Sequence, residues 1–279
     1  RLRPSTSVSN LNLPEIGSSS TMPPEFVSAL RRASARLGLF EGRVEWHAVV
    51  RSTNDLVLDL AGRGMSQGAV VVADAQTAGR GRLGRTWHSP EGAGIYASVL
   101  LRPDVAESSV LTLAAGVAVA EGIFAATGLR PALKWPNDVW CGSRKLGGIL
   151  AEAGSTPSSG PHVALGFGLN VLRSARPPDT LDQTTSLEDE LEQTIDRGLV
   201  LAECLAALAT RYAQLSHDPS GVLAAWREAA RPLLRRRVEW EQANGVVAGL
   251  AEDIDETGAL LVRTPLGWER IISGAVRWT

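Results

Sequence analysis

Gly79-Arg80-Gly81-Arg82-Leu83-Gly84-Arg85-Thr86-Trp87 places three glycines and three arginines in seven positions, closes on an indole, and meets no acid before Glu91. Glycines let a backbone curl and turn its N–H groups toward an anion. Arginines add fixed charge and forked donors that fit phosphate or carboxylate. Ordering such a loop costs entropy, so its composition predicts an anionic ligand that fills it. Gly79, Gly81 and Gly84 also satisfy the G-x-G-x-x-G spacing of a dinucleotide fold. That motif must open a helix, which Trp87-His88-Ser89-Pro90-Glu91-Gly92 cannot continue. A kinase-type loop fails too, because Thr86 stands where a valine belongs and no HRD or DFG word follows.

Outward from the loop, the chain reads as alternating strands and helices. Pro23-Pro24 opens a helix over Glu25–Leu37 that Gly38 stops. Arg43–Val50 and Ala69–Ala73 are strands, and Ser52-Thr53-Asn54 between them has the form of a helix N-cap. Ile95–Leu101 alternates like a half-buried strand, and Ser108 or Ser109 caps an Ala-rich helix ending near Gly128. Strands follow around Ala132–Trp135, Val139–Cys141, Lys145–Glu152 and His162–Val171, then helices over Leu199–Leu215 and Gly221–Ala230. From Leu233 short strands punctuated by Asn244-Gly245, Glu256-Thr257-Gly258 and Pro265-Leu266-Gly267 predict a small SH3-like barrel. The expected fold is α/β (α+β), a mixed central sheet with flanking helices plus that barrel. The expected divisions are a disordered leader over 1–22, a catalytic domain over 23–232 and the barrel over 233–279.

The bulk numbers exclude several classes. The chain has 279 residues, 44% of them hydrophobic and 21% charged, as in an ordinary globule. A net charge of −2 argues against a nucleic-acid platform. Cys141 and Cys204 cannot build a disulfide framework, and the four histidines lack zinc spacing, which favours a reducing cytoplasm. The most apolar run, Val110–Leu129, contains Thr112 and Glu121 and reads as a buried helix, so no membrane association is expected.

Chemistry concentrates in a few further words. Lys134-Trp135-Pro136-Asn137-Asp138 holds a cation, two oxygen-bearing polar side chains and a rigid turn. Lys134 suits phosphate oxygens, and Asn137 or Asp138 offers oxygen to Mg²⁺. The bland reading is a strand ending in a surface turn. Lys145, beyond a tight turn, can return to the same pocket on an adjacent strand, ahead of the apolar run Leu146-Gly147-Gly148-Ile149-Leu150. Gly166-Phe167-Gly168-Leu169-Asn170 reads equally as a glycine-softened strand or as backbone that a ligand approaches.

Taken in order, Ser52-Thr53-Asn54, Gln76-Thr77-Ala78, the arginine loop, Lys134–Asp138 and Lys145–Leu150 closely resemble the biotin–protein ligases, over about residues 45 to 279. The resemblance implies a biotin pocket at Ser52, Thr53, Asn54, Gln76, Gly79, Arg80, Gly81, Arg82, Lys145 and Gly148. It implies ATP contacts at Arg85, Trp87, Lys134, Asn137 and Asn170, with Asp138 as candidate Mg²⁺ ligand. Trp87 either stacks on adenine once the loop closes or serves as a hydrophobic latch. Arg80, Arg82, Lys134 and Lys145 are the expected catalytic cations. The implied reaction joins biotin to ATP as biotinyl-5′-adenylate, then passes biotin to a lysine of a biotin carboxyl carrier protein. Gly147 stands where that family often has Ala, and Leu83 fills a variable loop position. Some relatives carry an N-terminal winged helix-turn-helix. Only about 40 residues precede the core here, which predicts a single-function enzyme without specific DNA binding. The expected state is a monomer or a weak homodimer. A lipoate–protein ligase and a DNA-binding repressor are the rival readings.

Overall fold

A computed structural model describes residues 21–104, 109–156, 160–242 and 245–279. Helix α1 spans Pro24–Ala33 and gives way to two short 3₁₀ turns, Ser34–Arg36 and Gly38–Phe40, so the expected single helix to Leu37 breaks early. Strand β1 (Val44–Val50) leads into α2 (Thr53–Gly62), followed by β2 (Val70–Gln76), the arginine loop and β3 (Gly94–Leu101). Then come α3 (Leu111–Thr127), β4 (Ala132–Lys134), β5 (Asp138–Cys141), β6 (Arg144–Thr156) and β7 (Gly160–Asn170). The expected disordered leader falls almost wholly on residues 1–20, outside the described residues.

These seven strands form one mixed sheet in the order β1-β2-β3-β7-β6-β5-β4, with β1 and β2 parallel and the other pairs antiparallel. Helix α3 and the later α5 (Arg197–Leu215) pack together over one face, within the main hydrophobic core. Helix α2 covers part of the other, where Val57 and Ala61 meet Val71, Leu100 and Ala164. Every residue of β3 is therefore buried, in place of the expected alternation, because both sides of the sheet are covered at this central strand.

Helix starts differ from expectation for local reasons. Helix α3 begins after Val110 with no side-chain cap, although its C-terminus does stop at Gly128 in the left-handed region (φ +78°). Ser108 lies outside the described residues. Asp196 and Asp218 accept hydrogen bonds from Leu199 and Gly221 N–H groups, which start α5 and α6 (Pro219–Ala230) two residues earlier than the apolar pattern alone shows. A short helix, α4 (Leu187–Leu191), carries too little periodicity to be anticipated.

The C-terminal strands are β8 (Arg237–Gln242), β9 (Gly245–Ile254), β10 (Leu260–Thr264), β11 (Gly267–Ile271) and β12 (Val276–Trp278). They form a separate antiparallel sheet ordered β11-β10-β9-β8-β12. Its inner residues Val238, Ala251, Leu260 and Val262 belong to the same hydrophobic core as the large sheet. Trp135 Nε1 donates to Gly258 O at 2.9 Å, and Arg227 on α6 pairs with Asp253 on β9 at 2.7 Å. Among the described residues, no helix is long and apolar enough to cross a membrane.

Candidate functional site

Helix α2 covers only one end of its face of the sheet. The uncovered part, carrying Ser98, Gly166, Gly168 and Gly148, floors a cleft of about 1120 Å³ that the arginine loop and the C-terminal sheet wall in. Ser52, Thr53, Asn54, Gln76, Arg80, Gly81, Arg82, Arg85, Trp87, Lys134, Asn137, Asp138, Lys145, Gly148 and Asn170 all line it. One expected residue stands apart: Gly79 is at the neck of the loop. A methyl group there would lie 2.5 Å from Trp87 O and 2.7 Å from Ser89 Oγ.

At the N-terminus of α2 lies a buried polar cluster. Ser52 makes no capping hydrogen bond, so the expected side-chain cap is absent. Thr53 donates to Gln76 Oε1 from its N–H at 2.9 Å and from its hydroxyl at 3.2 Å. Gln76 Nε2 donates in turn to Ser89 Oγ at 2.9 Å. Ser98 Oγ lies 2.6 Å from both Thr53 Oγ1 and Asn54 Oδ1. Asn54 Nδ2 donates to Glu152 Oε2 at 2.7 Å. A methyl group on Gly166 would strike Asn54 Oδ1, so this glycine is what admits the amide.

The loop itself is a small folded hairpin. Gly81 N–H donates to Arg85 O at 2.7 Å, Trp87 N–H donates to Gly79 O at 2.9 Å, and Arg80 and Thr86 bridge as in a strand pair. Leu83 turns it with φ +57°. Three contacts dock the hairpin. Arg80 sits between Asp55 at 2.6 Å and Glu152 at 2.8 Å, and these hydrogen bonds, the Glu152 one foremost, raise its pKa. Arg82 donates to Asn137 Oδ1 at 3.1 Å and reaches Gly274 O at 3.4 Å, and burial lowers its pKa against the pull of Asp138. Trp87 packs on Gly168, where a methyl group would collide with the indole, and its Nε1 is buried with no partner among the described residues.

The opposite wall carries the lysines. Lys134, at the end of β4, places Nζ 3.8 Å over the Trp140 ring, and burial pushes its pKa down to about 8. Lys145 Nζ pairs with Asp138 Oδ1 at 2.6 Å and lies 3.4 Å from where a Gly148 methyl would stand. A register shift explains this meeting: Val139 pairs with Gly147 but Trp140 pairs with Lys145, so Leu146 is an extra residue in β6. Without that bulge, Lys145 and Gly148 would face opposite sides of the strand. Asn170 Nδ2 donates to Thr185 O at 3.0 Å and ties β7 to the segment from Pro177 to Thr184 that edges the cleft.

Several contributors have no sequence motif: Asp55, Ser89, Ser98, Trp140, Glu152 and the C-terminal Trp240, Gly274 and Trp278. Glu152 alone left a trace, since Gly148, Leu150 and Glu152 follow the two-residue period of one strand face. The C-terminal residues reach the cleft although their sheet carries none of the cation or glycine motifs.

With this geometry established, comparison with known proteins is direct. Residues 46–170 match the biotin/lipoate A/B protein ligase family and residues 236–276 match the biotin protein ligase C terminal domain. The chain is 38% identical to the biotin–[acetyl-CoA-carboxylase] ligase of Mycobacterium tuberculosis, over 76% of this chain and 81% of that one. It is 37% identical to the bifunctional ligase/repressor BirA of Bacillus spizizenii, over 82% and 71% of the two chains. The biotin protein ligase from Aquifex aeolicus in complex with biotin and ATP superposes with a TM-score of 0.74 at 29% identity, covering 85% of this chain and all of that one.

Proposed function

The chain belongs to the biotin protein ligases, which are ATP-dependent, and we propose how its cleft carries out their reaction. The observation that carries this reading is the meeting, in one cleft, of a buried uncharged polar cluster and a wall of cations. A ureido ring needs mixed donors and acceptors held away from water, and Thr53, Gln76 and Ser98 offer them. A carboxylate and a polyphosphate need positive charge, and Arg82, Arg85, Lys134 and Lys145 supply it.

Biotin's head group fills the polar cluster and its carboxylate points along the cleft toward Lys145. The carboxylate oxygen attacks the α-phosphorus of ATP, forming the acyl–phosphate anhydride as pyrophosphate leaves. Charge grows on phosphate oxygens during this step, so fixed cations stabilise it without reorganising. The acceptor's neutral lysine amine then attacks the acyl carbon, the acyl C–O bond breaks so that AMP departs with its electrons, and the nitrogen gives up a proton to solvent as the amide forms. Trp87 and the docked hairpin keep water from the anhydride in between. The acceptor we assign is a biotin carboxyl carrier domain.

Mg²⁺ fits as an ion carried by the nucleotide. Among the described residues no cluster of three or more His, Cys, Asp or Glu side chains could cage it, but Mg²⁺ commonly takes one or two carboxylates and completes its shell with phosphates. Asp138, with Asn137 beside it, would hold it, and the ion would neutralise phosphate oxygens. The test is to incubate the chain with biotin, MgATP and a carrier domain, then read biotin attachment by intact mass. Label that appears on the carrier and vanishes when its acceptor lysine is changed to Arg supports the reading. An unlabelled carrier would remove it.

A further inference from the structure

Glu152 touches two halves of the site with one oxygen. Its Oε2 accepts from Asn54 Nδ2 at 2.7 Å and from Arg80 Nη2 at 2.8 Å. Asn54 is buried, at 3% exposure, and its remaining hydrogen bonds are internal: Nδ2 reaches Leu150 O at 3.4 Å and Oδ1 accepts from Ser98 at 2.6 Å. That leaves the amide little capacity for a ligand. Its work is to orient Ser98, whose hydroxyl in turn fixes Thr53. Arg80 is held on its other side by Asp55, so two carboxylates fix its guanidinium and anchor the hairpin.

We propose that Glu152 is a positioning residue that couples the order of the polar pocket to the docking of the arginine hairpin. The inference rests on reading this cleft as the biotin site. An ordinary partly exposed ion pair contributes little, because solvent screens it and two side chains lose freedom. Glu152 differs in that the same oxygen is the acceptor for a buried amide, and a buried donor stripped of its acceptor is costly. When biotin orders Thr53 and Ser98, it also favours the Asn54 orientation that meets Glu152, and hence the carboxylate position that meets Arg80. Loop closure thereby follows from occupancy of the pocket. Burial pushes the Glu152 pKa up, but hydrogen bonds from Arg80 and Asn54, with the charge of Arg80, hold it below its ordinary value, which keeps the carboxylate ionised.

Two substitutions separate the two contacts. Glu152→Gln keeps an oxygen for Asn54 and removes the charge that holds Arg80, whereas Glu152→Ala removes both. Biotin affinity by calorimetry reports the pocket, and biotinyl-adenylate released to solution per turnover reports the loop. Circular dichroism checks folding of each variant. Glu152→Gln is expected to bind biotin nearly as wild type yet release adenylate as Arg80→Ala does. Glu152→Ala should in addition lose roughly tenfold in affinity, the scale of an unsatisfied buried donor. The Glu152→Gln/Arg80→Ala double variant should leak no more than either alone, because both remove one contact. Wild-type affinity and retention in Glu152→Ala would overturn the inference, as would equal loss of affinity in the Gln and Ala variants. A wild-type chain that binds no biotin would overturn the reading of the cleft itself, and this inference with it.

Discussion

Lys134 carries the most displaced cation of the cleft. Burial lowers its pKa to about 8, Asp138 partly restores it, and Lys145, Arg236 and Arg85 push it down further. Since its pKa unfolded is near 10.5, the folded chain gives up this proton first. Burying the charge therefore costs stability fully below pH 8, and stability recovers as pH rises from there toward the unfolded value. On the role proposed for Lys134, catalysis runs the other way, because only the protonated amine would stabilise phosphate charge. The second-order rate of adenylation with ATP should fall as pH rises through about 8. A Lys134→Arg variant, charged throughout, should lack that limb, and a wild-type profile flat across this range would contradict a Lys134 amine that loses its charge near pH 8. Replacing Lys134 or Lys145 with Ala should slow single-turnover adenylation by about tenfold or more. Unchanged adenylation in Lys145→Ala would make that lysine a structural partner of Asp138. Lys145 was legible because its charge precedes an apolar, glycine-paired run, and Lys134 because it shares one short word with Asn137 and Asp138. Ser98 was not, and Glu152 left only its place in the period of one strand face, since their meeting with Asn54 depends on how strands far apart in sequence align.

The hairpin and the strands beneath it set the next level. Its glycines were readable as a tight turn unable to open a helix, and the chain makes only a single 3₁₀ turn there. Its docking was not readable, because Gly168 gives no local sign that its missing side chain seats Trp87. Gly168→Ala should therefore lift the indole and free the hairpin while leaving the sheet intact. Trypsin should then cut after Arg82 or Arg85 faster than in wild type, as mapped by mass spectrometry, even with biotin and ATP present. Equal cleavage rates would show that Trp87 is not what holds the loop. The bulge at Leu146 was equally hidden. A run of alternating residues specifies a strand, but an inserted residue leaves that run looking continuous while it turns Lys145 toward Asp138.

Across the whole molecule, the turn signals after Leu233 located a second sheet correctly, and composition alone implied that it stood apart. The packing joins the two sheets through one core, and Gly274, Trp240 and Trp278 complete the cleft. Such cross-sheet burial is a matter of which faces meet, which no local pattern encodes. We expect the full chain to unfold in a single calorimetric transition, with matching calorimetric and van't Hoff enthalpies. Two separated transitions would mean that the sheets are independent units. The central claim, that this shared cleft activates biotin on ATP, is tested most directly by exchange of labelled pyrophosphate into ATP. The account predicts exchange that requires biotin, needs no acceptor protein and is not supported by lipoate. Exchange that is absent with biotin, or driven as well by lipoate, would contradict it.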